Sequence, residues 1–178
     1  MKNYYSNSST TNGMNIDYEK SVIENVINIT PDCKAYPSFI IREMLLQAAM
    51  LEQSLDSDKY SPLPPMLNLI EKAHNWGYQG THAEVIKTFP TSSDDPDYDF
   101  NNYLFSNKLK EAIDFLKSQG TSHQIIFESL LQAVFDYCVR IPGNSNTLTS
   151  LLLNAVNDVF RLMSYFELDR LESKKIFL

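Results

Sequence analysis

Two strongly apolar helical patterns separated by one short polar turn, between His123 and Phe166, constrain this chain more than anything else in it. The first runs through Ile125, Ile126, Phe127, Leu130, Leu131, Val134, Phe135 and Cys138. The second runs through Leu148, Leu151, Leu152, Ala155, Val156, Val159, Phe160, Leu162, Met163 and Phe166. Spacings of three and four gather such side chains on broad stripes of α-helices. Between them, Ile141-Pro-Gly-Asn-Ser-Asn-Thr147 combines helix breakers with short polar residues, the chemistry of a turn. The expectation is a helical hairpin with antiparallel arms. Its stripes are wider than one helix–helix contact requires, so other helices or a second chain must wrap it.

The rest of the chain repeats the helical period. Tyr18, Val22, Val26 and Ile29 share a stripe that predicts a helix over 17–29, stopped by Pro31. A second helix starts near Pro37 and runs to about Leu55. Its apolar residues, from Phe39 and Ile40 to Leu51 and Leu55, nearly encircle it and place it at the centre of a bundle. Prolines at 62, 64 and 65 make 56–65 a loop. Met66, Leu69, Ile70 and Ala73 then mark a helix over 65–76 that Gly77 closes. Thr81-His-Ala-Glu84 is a capping box that starts a short helix ending before Pro90. Residues 90–101 form an acidic loop, and Leu109, Ala112, Ile113 and Leu116 line a helix over 103–118 capped by Gly120. Thr121-Ser-His-Gln124 caps the first arm of the hairpin, and the second arm occupies 148–171. Val and Ile nowhere alternate with polar residues for long enough to make a strand.

These patterns predict an all-α fold, a single-domain helical bundle or short helical array of six to seven helices over 17–178. Residues 1–16, rich in Ser, Asn and Thr, are read as a disordered polar tail. A chain of 178 residues is one domain in size and long enough to bury a sizeable core.

Composition excludes more functions than it supports. The formal net charge is -7, and the nearest thing to a basic patch is Lys174-Lys175, so nucleic acid is not an expected partner. Five glycines, of which only Gly77 and Gly80 lie close together, cannot build a phosphate-cradling loop. Two distant cysteines, Cys33 and Cys138, make neither a redox motif nor a disulfide framework. Cys138 reads as a small buried hydrophobe on an apolar face. The polar opening segment has no apolar core of a secretory signal, and no run of apolar residues is long enough to span a bilayer. A cytoplasmic or otherwise intracellular protein without a membrane partner is the expectation; non-Sec export as an effector would leave no such mark.

Candidate chemistry is sparse. Glu71-x-x-His74 occurs once, where ferritin-like di-metal bundles use the pattern twice with two further glutamates. Asp95, Asp97, Asp99 and Asn101 alternate as calcium-loop ligands do, but Phe100 stands where the turn needs Gly and Ser106 where Glu is required. No nucleophile elbow is present. No catalytic residue, metal site or cofactor is therefore assigned. His74, Trp76, Tyr78 and His82 gather polar-handled aromatics around Gly77-Tyr-Gln-Gly80, the makings of a partner-binding hot spot. The bland reading is that Trp76 plugs the end of the bundle.

The functional expectation is a non-enzymatic protein-interaction or regulatory module, adaptor-like, with a protein partner. The alternative is a bundle enclosing a small ligand or metal through Glu71, His74 or His82, in which case the chain could be an enzyme. A homodimer that covers part of the last helix is compatible with either. If the hairpin is core, Leu130→Asp or Val159→Asp buries an unpaired charge at a cost of several kcal/mol, comparable with a domain's total stability of roughly 5–15 kcal/mol. Each variant is expected to lose helical circular dichroism and cooperative melting; retention of both would refute the core assignment.

Overall fold

A helix that is apolar on nearly every side is stable only when others surround it. The computed structural model arranges the chain round one such helix. The structure describes residues 16–29, 37–53, 63–78, 98–141 and 145–175. They form six helices: α1 (Ile16–Ile29), α2 (Pro37–Gln53), α3 (Leu63–Tyr78), α4 (Tyr98–Ser118), α5 (His123–Cys138) and α6 (Ser145–Lys175). Among the described residues there is no strand, so the fold is an all-α helical array. The helix expected after Thr81 and most of the N-terminal tail lie outside the described residues. Ile16, assigned to that tail, instead opens α1.

The centre is α2, which packs along α5 and α6 and touches α4. Ile41, Met44, Leu45, Ala48 and Ala49 lose all solvent exposure there, and Met50 is its one half-exposed apolar residue. The paired alanines have no side chain beyond Cβ, which lets neighbouring helices come close to the α2 backbone. Around this axis α5 also packs with α1 and, less extensively, with α3 and α4, while α3 lies chiefly along α6.

One expectation fails. The helices on either side of the expected turn, α5 and α6, do not pack along one another, α2 packs along both, and residues 145–147 of that turn belong to α6. The physical reason is the demand for burial. Since α2 is apolar on more sides than either neighbour, its contacts with α5 and α6 take the place of the direct hairpin contact. The stripes themselves are as expected. Leu130, Val134 and Cys138 on α5, and Leu152 and Val159 on α6, are fully buried.

The α1 stripe is also rotated from its expected setting. Packed between α4 and α5, α1 buries Glu19 and Ile23 and leaves Tyr18 half exposed. On α3, Met66, Leu69, Ile70 and Ala73 face inward as expected. That helix begins earlier than 65, because Pro64 and Pro65 sit in its first turn, where a missing N–H costs nothing. At its other end α3 continues to Tyr78, so Gly77 lies inside the last turn and does not close the helix.

The passage from α4 to α5 has four residues and is closed by backbone hydrogen bonds. Gly120 adopts φ +82°, the left-handed setting that suits glycine. Its N–H donates to the Lys117 carbonyl at 3.0 Å, and the Thr121 N–H donates to the Leu116 carbonyl at 3.1 Å. These two bonds are the Schellman termination. Ser122, in extended conformation, then accepts from the Ile125 N–H at 3.3 Å and caps α5. A Cβ at Gly120 would meet nothing within 4 Å, so Gly120→Ala pays only for its backbone conformation. It is expected to lower stability by roughly 1 kcal/mol in urea unfolding with an unchanged slope; a loss several times larger would mean that the turn is packed as well as bent.

Candidate functional site

The residues singled out by sequence do not come together on a loop. His74 lies on α3, half-buried, and shares a hydrogen bond of 3.2 Å between its Nδ1 and Thr149 Oγ1 on α6. It serves the packing of α3 on α6. Trp76 and Tyr78 belong to the last turn of α3, not to an interhelical loop. Helical geometry sets position 76 about 200° round the axis from position 74, so the two do not share a face. His82 lies outside the described residues. Glu71 is exposed beside the half-buried His74. Among the described residues no three His, Cys, Asp or Glu side chains are grouped as metal ligands. The calcium-like spacing fails locally: Asp99 and Asn101 are in the opening turn of α4, and Asn101 is buried.

The thiol and phenol at the end of α5 are buried. The Cys138 thiol is fully buried, and loss of hydration pushes its pKa up to about 12. Burial drives the neighbouring Tyr137 phenol well above its ordinary value, with a smaller push from Cys138 itself. Neither ionises near neutral pH, so neither is an activated nucleophile.

Polar chemistry collects in two other places. The first is a seam across α1, α5 and α3. Lys20 Nζ donates to Asp136 Oδ2 at 2.8 Å, and Gln132 Nε2 donates to Asp136 Oδ1 at 2.9 Å. Lys72 Nζ donates to Gln132 Oε1 at 3.2 Å and stands 4.2 Å from the centre of the Phe135 ring. The hydrogen bond from Lys20 to Asp136 is the main reason that the Lys20 pKa lies above its ordinary value; partial burial opposes it. Gln132 and Asp136 are one turn apart on α5. The two lysines come from helices that flank it. Such partly exposed pairs contribute roughly 0.2–1 kcal/mol each, enough to orient α1 and α3 on α5 but not to hold them.

The second is a set of buried polar side chains near the α2–α4 contact and along α1 and α5. Phe39 of α2 meets Phe105 of α4 edge to face, with ring centres 6.4 Å apart, and the Arg42 guanidinium lies 5.0 Å from the Phe39 ring centre. One turn along, Gln47 Nε2 donates to Glu43 Oε1 at 3.0 Å. Glu19 Oε2, Arg42 Nε, Asn102 Oδ1 and Ser129 Oγ are buried without a hydrogen bond among the described atoms. Unpaired buried acceptors are costly, and native proteins keep few of them.

The outer side of α4 has the opposite character. Phe100 and Tyr103, one turn apart, keep 63% and 66% of their surface in solvent. Sequence reasoning placed Phe100 in the acidic loop and Tyr103 at the start of the helix that follows, and singled out neither residue. The signal was Asp99, a carboxylate suited to the first turn of a helix. No protein-family model, curated protein or solved structure matches this chain. The reading of its sites rests on its own residues.

With Cys33 replaced by Ser, the single remaining thiol, Cys138, is expected to resist a disulfide reagent in buffer at neutral pH and to react fully in denaturant. Rapid labelling of the folded protein would contradict the burial and the high pKa together.

Proposed function

We propose that this chain is a non-enzymatic protein-interaction or regulatory module of the adaptor kind, acting inside the cell on a protein partner. The observation that carries the reading is the contrast between its two chemistries. The reactive thiol and phenol of α5 are buried and hard to ionise, whereas large aromatic groups on α4 stand in water. Exposed aromatic side chains with room around them are the usual anchors of protein–protein contacts. Their removal from water supplies roughly 1.5–3 kcal/mol for each large side chain. Among the described residues no helix is long and apolar enough to cross a membrane, which fits a partner met in solution. The net charge of -7 disfavours nucleic acid.

A second reading has one observation in its favour. Buried acceptors at Glu19 and Asn102 lack hydrogen-bond donors among the described atoms, as groups awaiting a small ligand or cation do. Its original candidates fit less well: Glu71 is exposed and His74 is bonded to Thr149.

The test is affinity purification of the intact chain under native conditions, with reciprocal capture, beside the variants Trp76→Ala and Tyr103→Ser. The expected result is one stoichiometric protein partner that at least one folded variant loses. Stoichiometric metal in the purified protein, or strong thermal stabilisation by one small molecule with no protein partner recovered, would replace this reading with the ligand-binding one.

A further inference from the structure

We infer that α1 is a detachable strap, which lifts from α4 and α5 as a unit while the rest of the fold stays closed. Its lifting uncovers the side of α5 that carries Ser129 and Asp136. The inference goes beyond the interaction-module reading and does not depend on it. Its ground is the quality of the α1 contact. Among the described side chains of α1, Ile23 is the one apolar residue fully buried, with Val22, Val26 and Ile27 partly buried around it. One turn before Ile23, on the same buried face, stands Glu19. That carboxylate is 3% exposed, and its Oε2 has no hydrogen bond among the described atoms. On α5 a second such group meets it: Ser129 is fully buried, and its Oγ is also unbonded among the described atoms. Ser129 lies seven residues before Asp136, and seven residues return a helix to nearly the same side. It therefore shares the side of α5 from which Asp136 bonds to Lys20 of α1.

Burial of a polar group without a partner is unfavourable, and water supplies the missing bond as soon as the group is exposed. Lifting α1 hydrates Glu19 and Ser129 together, which offsets part of the apolar contact that is lost. The ionic tie is arranged to the same effect. Lys20 Nζ lies 2.8 Å from Asp136 Oδ2 across the contact and 3.9 Å from Glu24 Oε1 within α1. Asp136 also accepts from Gln132, one turn before it on α5, at 2.9 Å. Each member of the tie thus keeps an intrahelical partner when the tie breaks. The central helix has no such exit: Ile41, Met44, Leu45, Ala48 and Ala49 would all be wetted before α2 could move. An element with little apolar burial opens at a lower free energy than the whole fold. Here α1 is that element, and its motion exposes a defined polar side of α5.

The experiment follows amide hydrogen exchange of the isotope-labelled full chain by nuclear magnetic resonance. The hydrogen-bonded amides of α1 are expected to share one opening constant, about a hundredfold or more above that of the core amides of α2. Glu19→Leu removes the buried unpaired oxygen and should slow α1 exchange about tenfold. Lys20→Met removes the tie and should speed it about threefold. Neither should move the α2 amides. With Cys33 replaced by Ser, the thiol of Ser129→Cys should react with a disulfide reagent while Cys138 stays protected. Its rate should rise with Lys20→Met and fall with Glu19→Leu. Rates graded inward from Ile16 would mean fraying of a helix end, and α1 exchange in step with α2 would mean a single cooperative unit; either overturns the inference. So would faster α1 exchange with Glu19→Leu, or an unreactive Ser129→Cys thiol in a chain whose α1 amides exchange freely.

Discussion

Enclosure of α2 is the constraint on which the rest of the architecture depends. A helix with Ile41, Met44, Leu45, Ala48 and Ala49 all withdrawn from water has little surface left to give to solvent. Every neighbour must therefore bring an apolar stripe to it or to the helices that cover it. Removal of a large apolar side chain from water is worth roughly 1.5–3 kcal/mol. No exposed ion pair among the described residues competes with that. The position of α2 accounts for the separation of α5 from α6, which follow each other in the chain and yet do not pack along one another. Connectivity gave way to burial.

The polar seam is a lesser and more specific device. Hydrophobic stripes tolerate sliding and rotation, because one methyl group can substitute for another. Hydrogen bonds at 2.8 and 2.9 Å on the two oxygens of Asp136 do not. By taking Lys20 from α1 and, through Gln132, Lys72 from α3, α5 fixes the rotational setting of both neighbours. The part-buried pair Glu43 and Gln47 sits within the central helix itself, one turn apart.

Much of this was legible in the sequence wherever periodicity carries the information. The stripes of α3 to α6 and the breadth of α2 follow from spacings of three and four, and the end of α4 follows from Gly120. What periodicity lacks is reference to the neighbour. It set Tyr18 on the buried side of α1, where packing between two helices selected Glu19 and Ile23. It also paired the helices on either side of a short turn, since it could not weigh a third helix competing for the same surface. Residue types suggested His74, Trp76 and Tyr78 as a group on a loop; a helix continuing through Gly77 instead sets positions 74 and 78 on one side of its axis and position 76 on the other. The seam of Lys20, Lys72, Gln132 and Asp136 joins positions as much as 116 apart in the chain, and only its Gln132–Asp136 step is written locally. The start of α4, five residues earlier than expected, makes Phe100 a helical residue and not a loop one.

The turn between α4 and α5 has a consequence for how the chain can change its length. Gly120 and Thr121 answer the last carbonyls of one helix, and Ser122 answers the first amides of the next. No residue between the helices is idle. A single inserted residue that lengthened α5 at its start would turn what precedes it by about 100° relative to the core. It would either unmake the reversal or withdraw Ile126, Phe127 and Leu130 from the centre. The frame of α5 is therefore counted from this corner, and the chain keeps time from there.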